Sequence, residues 1–110
     1  MSSTADSDVA IVLTTLGAGA DAAAFARAVV EERLAACVNV IGPVTSIYRW
    51  NGQIEQDTEQ QIVIKTTTSR LAALEARVRQ LHPYDVPEFL VLRTEGGSDA
   101  YLAWVRESVS

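Results

Sequence analysis

A metal-centred chemistry in this 110-residue chain has one imidazole to work with, because His82 is its only histidine. It opens the stretch "HPYDVPE", residues 82–88, which also holds Tyr84 and Glu88. A neutral imidazole ligates copper, zinc or nickel, and a carboxylate such as Glu88 can join it as an oxygen donor. The same imidazole in the last turn of a helix can instead bond main-chain carbonyls and complement the helix dipole. Both readings stay open. Cys37 is the only cysteine, which excludes an intrachain disulfide and a cysteine-pair zinc site. Between Ala36 and Val38 it reads as a small buried hydrophobe. His82, Tyr84 and Glu88 together have acid–base capacity, but no nucleophile and base stand at a spacing that names a reaction, and GxxxxGK[ST], GxSxG and HExxH are absent. The expectation is a protein that is not an enzyme and needs no organic cofactor.

A second group of chemically capable side chains lies in "SIYRWNG", residues 46–52, with Tyr48 and Trp50 two apart. Such rings bury large areas and keep a polar handle, which suits contacts between chains; stacking on a ligand is the alternative. Lys65 follows the apolar run 62–64. It can extend its ammonium to water at a strand end or contact an anion in a cleft.

These residues need elements to position them. "VAIVLTT", residues 9–15, is a β-branched strand ending at Gly17 and Gly19. Asp21 can cap a helix whose apolar stripe (Ala22, Phe25, Ala26, Val29, Val30) runs up to Leu34. A strand-like pattern from 37 to 50 is interrupted at Gly42-Pro43, which suggests a bulge. Asn51-Gly52 supplies a two-residue hairpin turn, placing Trp50 opposite Gln53, Arg49 opposite Ile54 and Tyr48 opposite Glu55 on a return strand 53–67. Thr68 or Ser69 can cap a second helix with Leu71, Leu74, Val78 and Leu81 on one stripe, ended by Pro83. "EFLVLRT", residues 88–94, is a fourth strand, and Ser98 or Asp99 can cap a last helix carrying Tyr101, Leu102, Trp104 and Val105. The order predicts an α+β, ferredoxin-like β-α-β-β-α-β antiparallel sheet with a C-terminal helix. Residues 1–8 are expected to be a flexible tail and 9–110 a single domain.

A sheet covered by helices on one side should alternate apolar and polar residues. These strands are apolar on both faces: Val9, Ile11 and Leu13 oppose Ala10 and Val12, Ile62 and Ile64 oppose Val63, and Phe89 and Val91 oppose Leu90 and Leu92. Each large apolar side chain gains roughly 1.5 to 3 kcal/mol on full burial, so the second face calls for a cover that one short helix cannot provide. A second copy of the chain is the expected cover, and the long hairpin with Tyr48 and Trp50 is suited to reach it.

A formal net charge of -5 opposes a nucleic-acid partner, and the strands that would carry stacking aromatics in an RNA-binding sheet have none. No cationic leader or membrane-length apolar run is visible, so a cytoplasmic location without membrane contact is expected.

Taken in order, "ERLAACVNVI", "VTSIYRWNG", "IVIKTT", "HPYDVPE" and "YLAWV" resemble the CutA family of divalent-cation tolerance proteins. The resemblance implies a homotrimer built by packing sheets around a three-fold axis, in the cytoplasm, linked to copper and other divalent metal ions. In some bacterial members copper is assigned to a cysteine at the end of the first strand and to a histidine just before the one in His-Pro-Tyr. Thr14 and Leu81 hold those places here, so of that set only His82 remains and metal binding should be weaker. The family is also similar in architecture to the PII signalling trimers, which implies clefts between subunits gathering Tyr48, Trp50, Lys65, His82, Tyr84 and Glu88. The alternative function this suggests is a trimeric sensor that binds a small anion and relays its state to a protein partner.

Overall fold

A computed structural model of the chain describes residues 7–82 and 86–110. Its elements are β1 (Val9–Gly17), α1 (Ala22–Glu31), β2 (Cys37–Trp50), β3 (Gln53–Thr67), α2 (Leu71–Leu81), β4 (Leu90–Arg93) and α3 (Asp99–Ser108). The β-α-β-β-α-β order with a closing helix is thus present, and the strands form one antiparallel sheet in the order β2-β3-β1-β4.

Local chemistry sets most of the boundaries. Asp21 caps α1 by accepting the Ala24 N–H at 3.0 Å. The helix stops at Glu31, short of the expected Leu34, because Arg33 turns left-handed at φ 60°. That turn lets the Arg33 N–H donate to Val30 O and the Leu34 N–H to Val29 O, the paired bonds of a Schellman ending. Leu34 is still buried, reached by the loop instead of the helix. The start of α2 also differs from expectation. No side chain caps it; a 3₁₀ turn over Thr68–Arg70 leads in, and Ser69 Oγ instead lies 3.0 Å from Thr67 Oγ1. Ser98 caps α3 by accepting the Tyr101 N–H at 3.2 Å.

The hairpin has the register that Asn51-Gly52 demands, with Trp50 opposite Gln53 and Tyr48 opposite Glu55, and Asn51 and Gly52 both at positive φ. The bulge at Gly42-Pro43 appears as a register shift between Ile41 and Val44. Beyond it the hairpin leaves the helices behind, and the molecule extends to 50 Å in one direction against 27 and 22 Å in the others.

Both faces of the sheet are apolar, and their fates differ. On one, Val12, Leu16, Ile62 and Ile64 pack against Phe25 and Val29 of α1 and Leu74 and Val78 of α2 in a closed core. On the other, Val105 of α3 and Val109 just past its end pack against Val9 and Ala36 at one end only. Ile11, Leu13 and Val63 are left half-buried, and Leu90 and Leu92 are 57% and 50% exposed. Cys37, expected to be buried, is half-buried, because its register partner Lys65 places it on this open side. Residues 1–6 of the expected tail lie outside the described residues. Ser7 and Asp8 are held: Ser7 Oγ accepts the Val9 N–H, and Asp8 pairs with Arg106 at 2.7 Å. Among the described residues no helix is long and apolar enough to cross a membrane.

Candidate functional site

His82 sits where α2 ends, its N–H bonded to Val78 O at 2.8 Å and its side chain buried. Its Nε2 lies 2.6 Å from the carbonyl oxygen of Thr15 in β1. A carbonyl only accepts, so Nε2 carries the proton and donates. This is the carbonyl-bonding role weighed from sequence, with the carbonyl supplied by a strand 67 residues away instead of the helix end.

Two glutamines saturate the same region of β1. Gln60 donates to Gly17 O at 2.9 Å and Ala20 O at 3.0 Å, and Gln61 donates to Thr14 O at 2.9 Å. The end of β1 is therefore lined by side chains that donate to backbone oxygens, which orders the turn into α1 and offers little to a cation. Thr14 is fully buried on the helix-covered face beside Val12, and among the described residues its Oγ1 has no hydrogen-bond partner.

With Nε2 committed as a donor, the histidine as placed does not offer that nitrogen's lone pair to a metal. Glu88 is half-buried, and among the described residues no group of three His, Cys, Asp or Glu side chains is close enough to hold an ion. The described residues of one protomer thus do not fit a divalent metal by themselves. Tyr84 lies outside the described residues.

Tyr48 and Trp50 lie near the tip of the hairpin, 40% and 48% exposed. The Tyr48 hydroxyl donates to Asp57 Oδ2, diagonally across the strand pair. That bond pushes the phenol up to about 12, with slight desolvation and the charges of Asp57, Glu55 and Glu59 adding to it. By strand alternation Glu55 and Asp57 share the Tyr48 face, and Arg49 shares the opposite face with Ile54.

Lys65 lies at the hairpin's other end. It stands between Ile11 of β1 and Cys37 of β2 on the open face, with Nζ 5.7 Å from the centre of the Tyr101 ring of α3. Tyr101 in turn packs against Trp104 at 5.5 Å between ring centres. Between Lys65 and Glu55, the residue opposite Tyr48, β3 runs ten residues, about 33 Å of extended chain. His82 meets β1 at Thr15, opposite Gln61, between these ends. One protomer therefore distributes Tyr48, Trp50, His82 and Lys65 along the sheet.

Sequence reasoning missed Asp57 as the partner of Tyr48, Gln60 and Gln61 as anchors of β1, and Tyr101 as the ring over Lys65. The diagonal pairing of positions 48 and 57 was available from the hairpin register; the other contacts are tertiary.

The family model described as CutA1 divalent ion tolerance protein matches residues 10–108. The chain is 47% identical over 98 residues to the divalent-cation tolerance protein CutA of Thermus thermophilus, spanning 89% of this chain and 95% of that one. It is 55% identical over 89 residues to the human protein CutA, spanning 78% of this chain and 50% of the human protein, so it covers about half the length of that relative. A solved structure of the Thermus thermophilus divalent cation tolerance protein superposes with a TM-score of 0.89 at 45% identity, covering 93% of this chain and 99% of the other.

Proposed function

This chain belongs to the CutA1 divalent ion tolerance family, and on that premise we propose that it is a homotrimeric, non-enzymatic tolerance protein whose ion-handling clefts lie between subunits. The observation that carries this reading is the roughly 33 Å of β3 between Lys65 and the hairpin aromatics. Residues so separated meet only if the hairpin of one copy lies against the body of another, and the open apolar face is the place for it to lie. The relatives' names describe divalent-cation tolerance and not an enzyme. They give the small-anion sensor alternative no support.

Within such a cleft we assign copper(II), or another divalent ion, to His82 and Glu88 with donors from the adjoining subunit. For Nε2 of His82 to ligate, it must first release Thr15 O, so the affinity is expected to be modest. Calorimetric titration with copper(II) of the wild type and of His82→Gln tests this. Glutamine keeps an N–H donor for the Thr15 carbonyl while removing the imidazole. The expected result is binding by the wild type and a loss of about tenfold or more in the variant; equal binding by both removes His82 from the assignment.

A further inference from the structure

Lys65 is the charged residue on an otherwise uncharged stretch of the open face. By register that stretch comprises Ile11 and Leu13 of β1, Cys37 and Asn39 of β2, Val63 of β3, and Leu90 and Leu92 of β4. The ion pairs among the described residues are Arg77–Glu32, Arg79–Glu75 and Arg106–Asp8, none of which involves Lys65. Among the described residues its ammonium faces the neutral ring of Tyr101, 5.7 Å from the ring centre. While this surface is wet, an ammonium there costs little. Once covered by another copy, it needs an anion, because a buried charge without a partner is strongly destabilising.

The same sheet face supplies one farther along. On the projecting half of the hairpin this face carries Tyr48 and Trp50, Arg49 between them lies on the other face, and the opposite strand sets Glu55 and Asp57 beside the two rings, both exposed. The hairpin is thus aromatic and anionic on the side where the body is aliphatic and cationic. A two-fold contact of body on body would bring like charges together. A head-to-tail contact, hairpin on the next body, pairs opposite charges at every repeat and closes into a ring when the rotation allows. The projecting half of β2, Val44–Trp50, spans about 23 Å against about 30 Å for β1, so the lengths suit.

We infer that the hairpin of one subunit lies across the open face of the next, and that its Glu55–Asp57 pair supplies the counter-charge to Lys65 there. This rests on the trimer reading and adds to it which residues the neighbour contributes. The test is sedimentation of dilute native protein in four forms: wild type, Lys65→Glu, Glu55→Lys/Asp57→Lys, and the triple variant that combines them. The triple variant restores opposite charges at every head-to-tail contact while leaving each chain with both changes. Far-ultraviolet circular dichroism reports whether each chain has folded. If Lys65→Glu does not fold, Lys65→Met, which keeps the aliphatic stem, replaces it, and the comparison is then with the hairpin pair.

The expected result is a wild-type trimer, association weakened about thirtyfold or more in each charge-reversed form, and recovery of most of that loss in the triple variant. Wild-type-like trimers from all four overturn the pairing while leaving the trimer intact. Weakening without recovery in the triple variant overturns it as well. If the wild type itself sediments as a single chain, the trimer reading falls and this inference with it.

Discussion

The two faces of this sheet are built from the same kinds of residue and meet opposite fates. Val12, Ile62 and Ile64 on one face and Leu74 and Val78 of α2 have no exposure at all, whereas Leu90 and Leu92 on the other are half-exposed or more. The contrast separates what folds the chain from what assembles it. Burial on the closed face stabilises the single chain, and burial on the open face is gained only when something arrives. Ile64→Ala should therefore lower the unfolding free energy by about 2 to 5 kcal/mol at any protein concentration. Leu92→Ala should change the dilute chain by no more than about 0.5 kcal/mol and should lower the melting temperature only where the wild type is associated. Chemical denaturation of both variants across a range of protein concentration checks the distinction. A concentration-independent loss for Leu92→Ala comparable to that for Ile64→Ala would erase it.

The closed face has one defect of its own. Thr14 is fully buried among aliphatic neighbours with its hydroxyl unpartnered, and an unsatisfied buried hydroxyl costs about 1 to 3 kcal/mol. Thr14→Val keeps the branched shape and removes that cost, so stability should rise by about 1 kcal/mol in thermal unfolding. Because Thr14 is on the face away from the proposed contact, the association constant should not move. A destabilised Thr14→Val would mean that the hydroxyl is satisfied in solution.

Where local chemistry decides, the sequence was sufficient. Asp21 and Ser98 announce helix starts, Asn51-Gly52 fixes the hairpin register residue by residue, and Gly42-Pro43 marks the bulge. The exposed second face was also legible, because an aliphatic pattern of period one cannot be hidden by two helices on one side. What escaped was decided elsewhere. Arg33 ends α1 in a left-handed conformation that glycine or asparagine usually supplies, closed by the bonds to Val30 O and Val29 O, while its guanidinium donates to Ser110 O at 3.2 Å. The stripe placed Leu81 inside, yet it is exposed and the adjoining His82 is buried, because Thr15 O offers the imidazole a partner that only the folded sheet brings near. Of the candidate site, the residue types were readable, and the placement of His82 against Thr15 of β1 was not. The register alone already implied that Tyr48 and Lys65 stand far apart on one hairpin, but a cleft between chains makes distance within a chain irrelevant.

The smallest expected effect is the most local probe of the open side. The Tyr48 phenol is raised from 10.0 to about 12, chiefly by donating to Asp57, and only its protonated form can donate. The contribution of that bond is therefore complete below pH 10, declines as pH rises through the folded-state value near 12, and is absent above it. Asp57→Asn removes the carboxylate, so the Tyr48 titration, isolated by ultraviolet difference against Tyr48→Phe, should fall back toward 10.0. Stability should change little, because the pair is exposed and screened. Concentration sharpens the comparison between the faces. If the hairpin docks on a neighbour, association takes water from Tyr48 and sets a new charge beside its partner Asp57, so the titration midpoint should change as the protein is concentrated. A tyrosine on the closed side of the sheet would show no such dependence, and a Tyr48 midpoint that stays fixed from dilute to concentrated protein would put this face of the hairpin outside the contact.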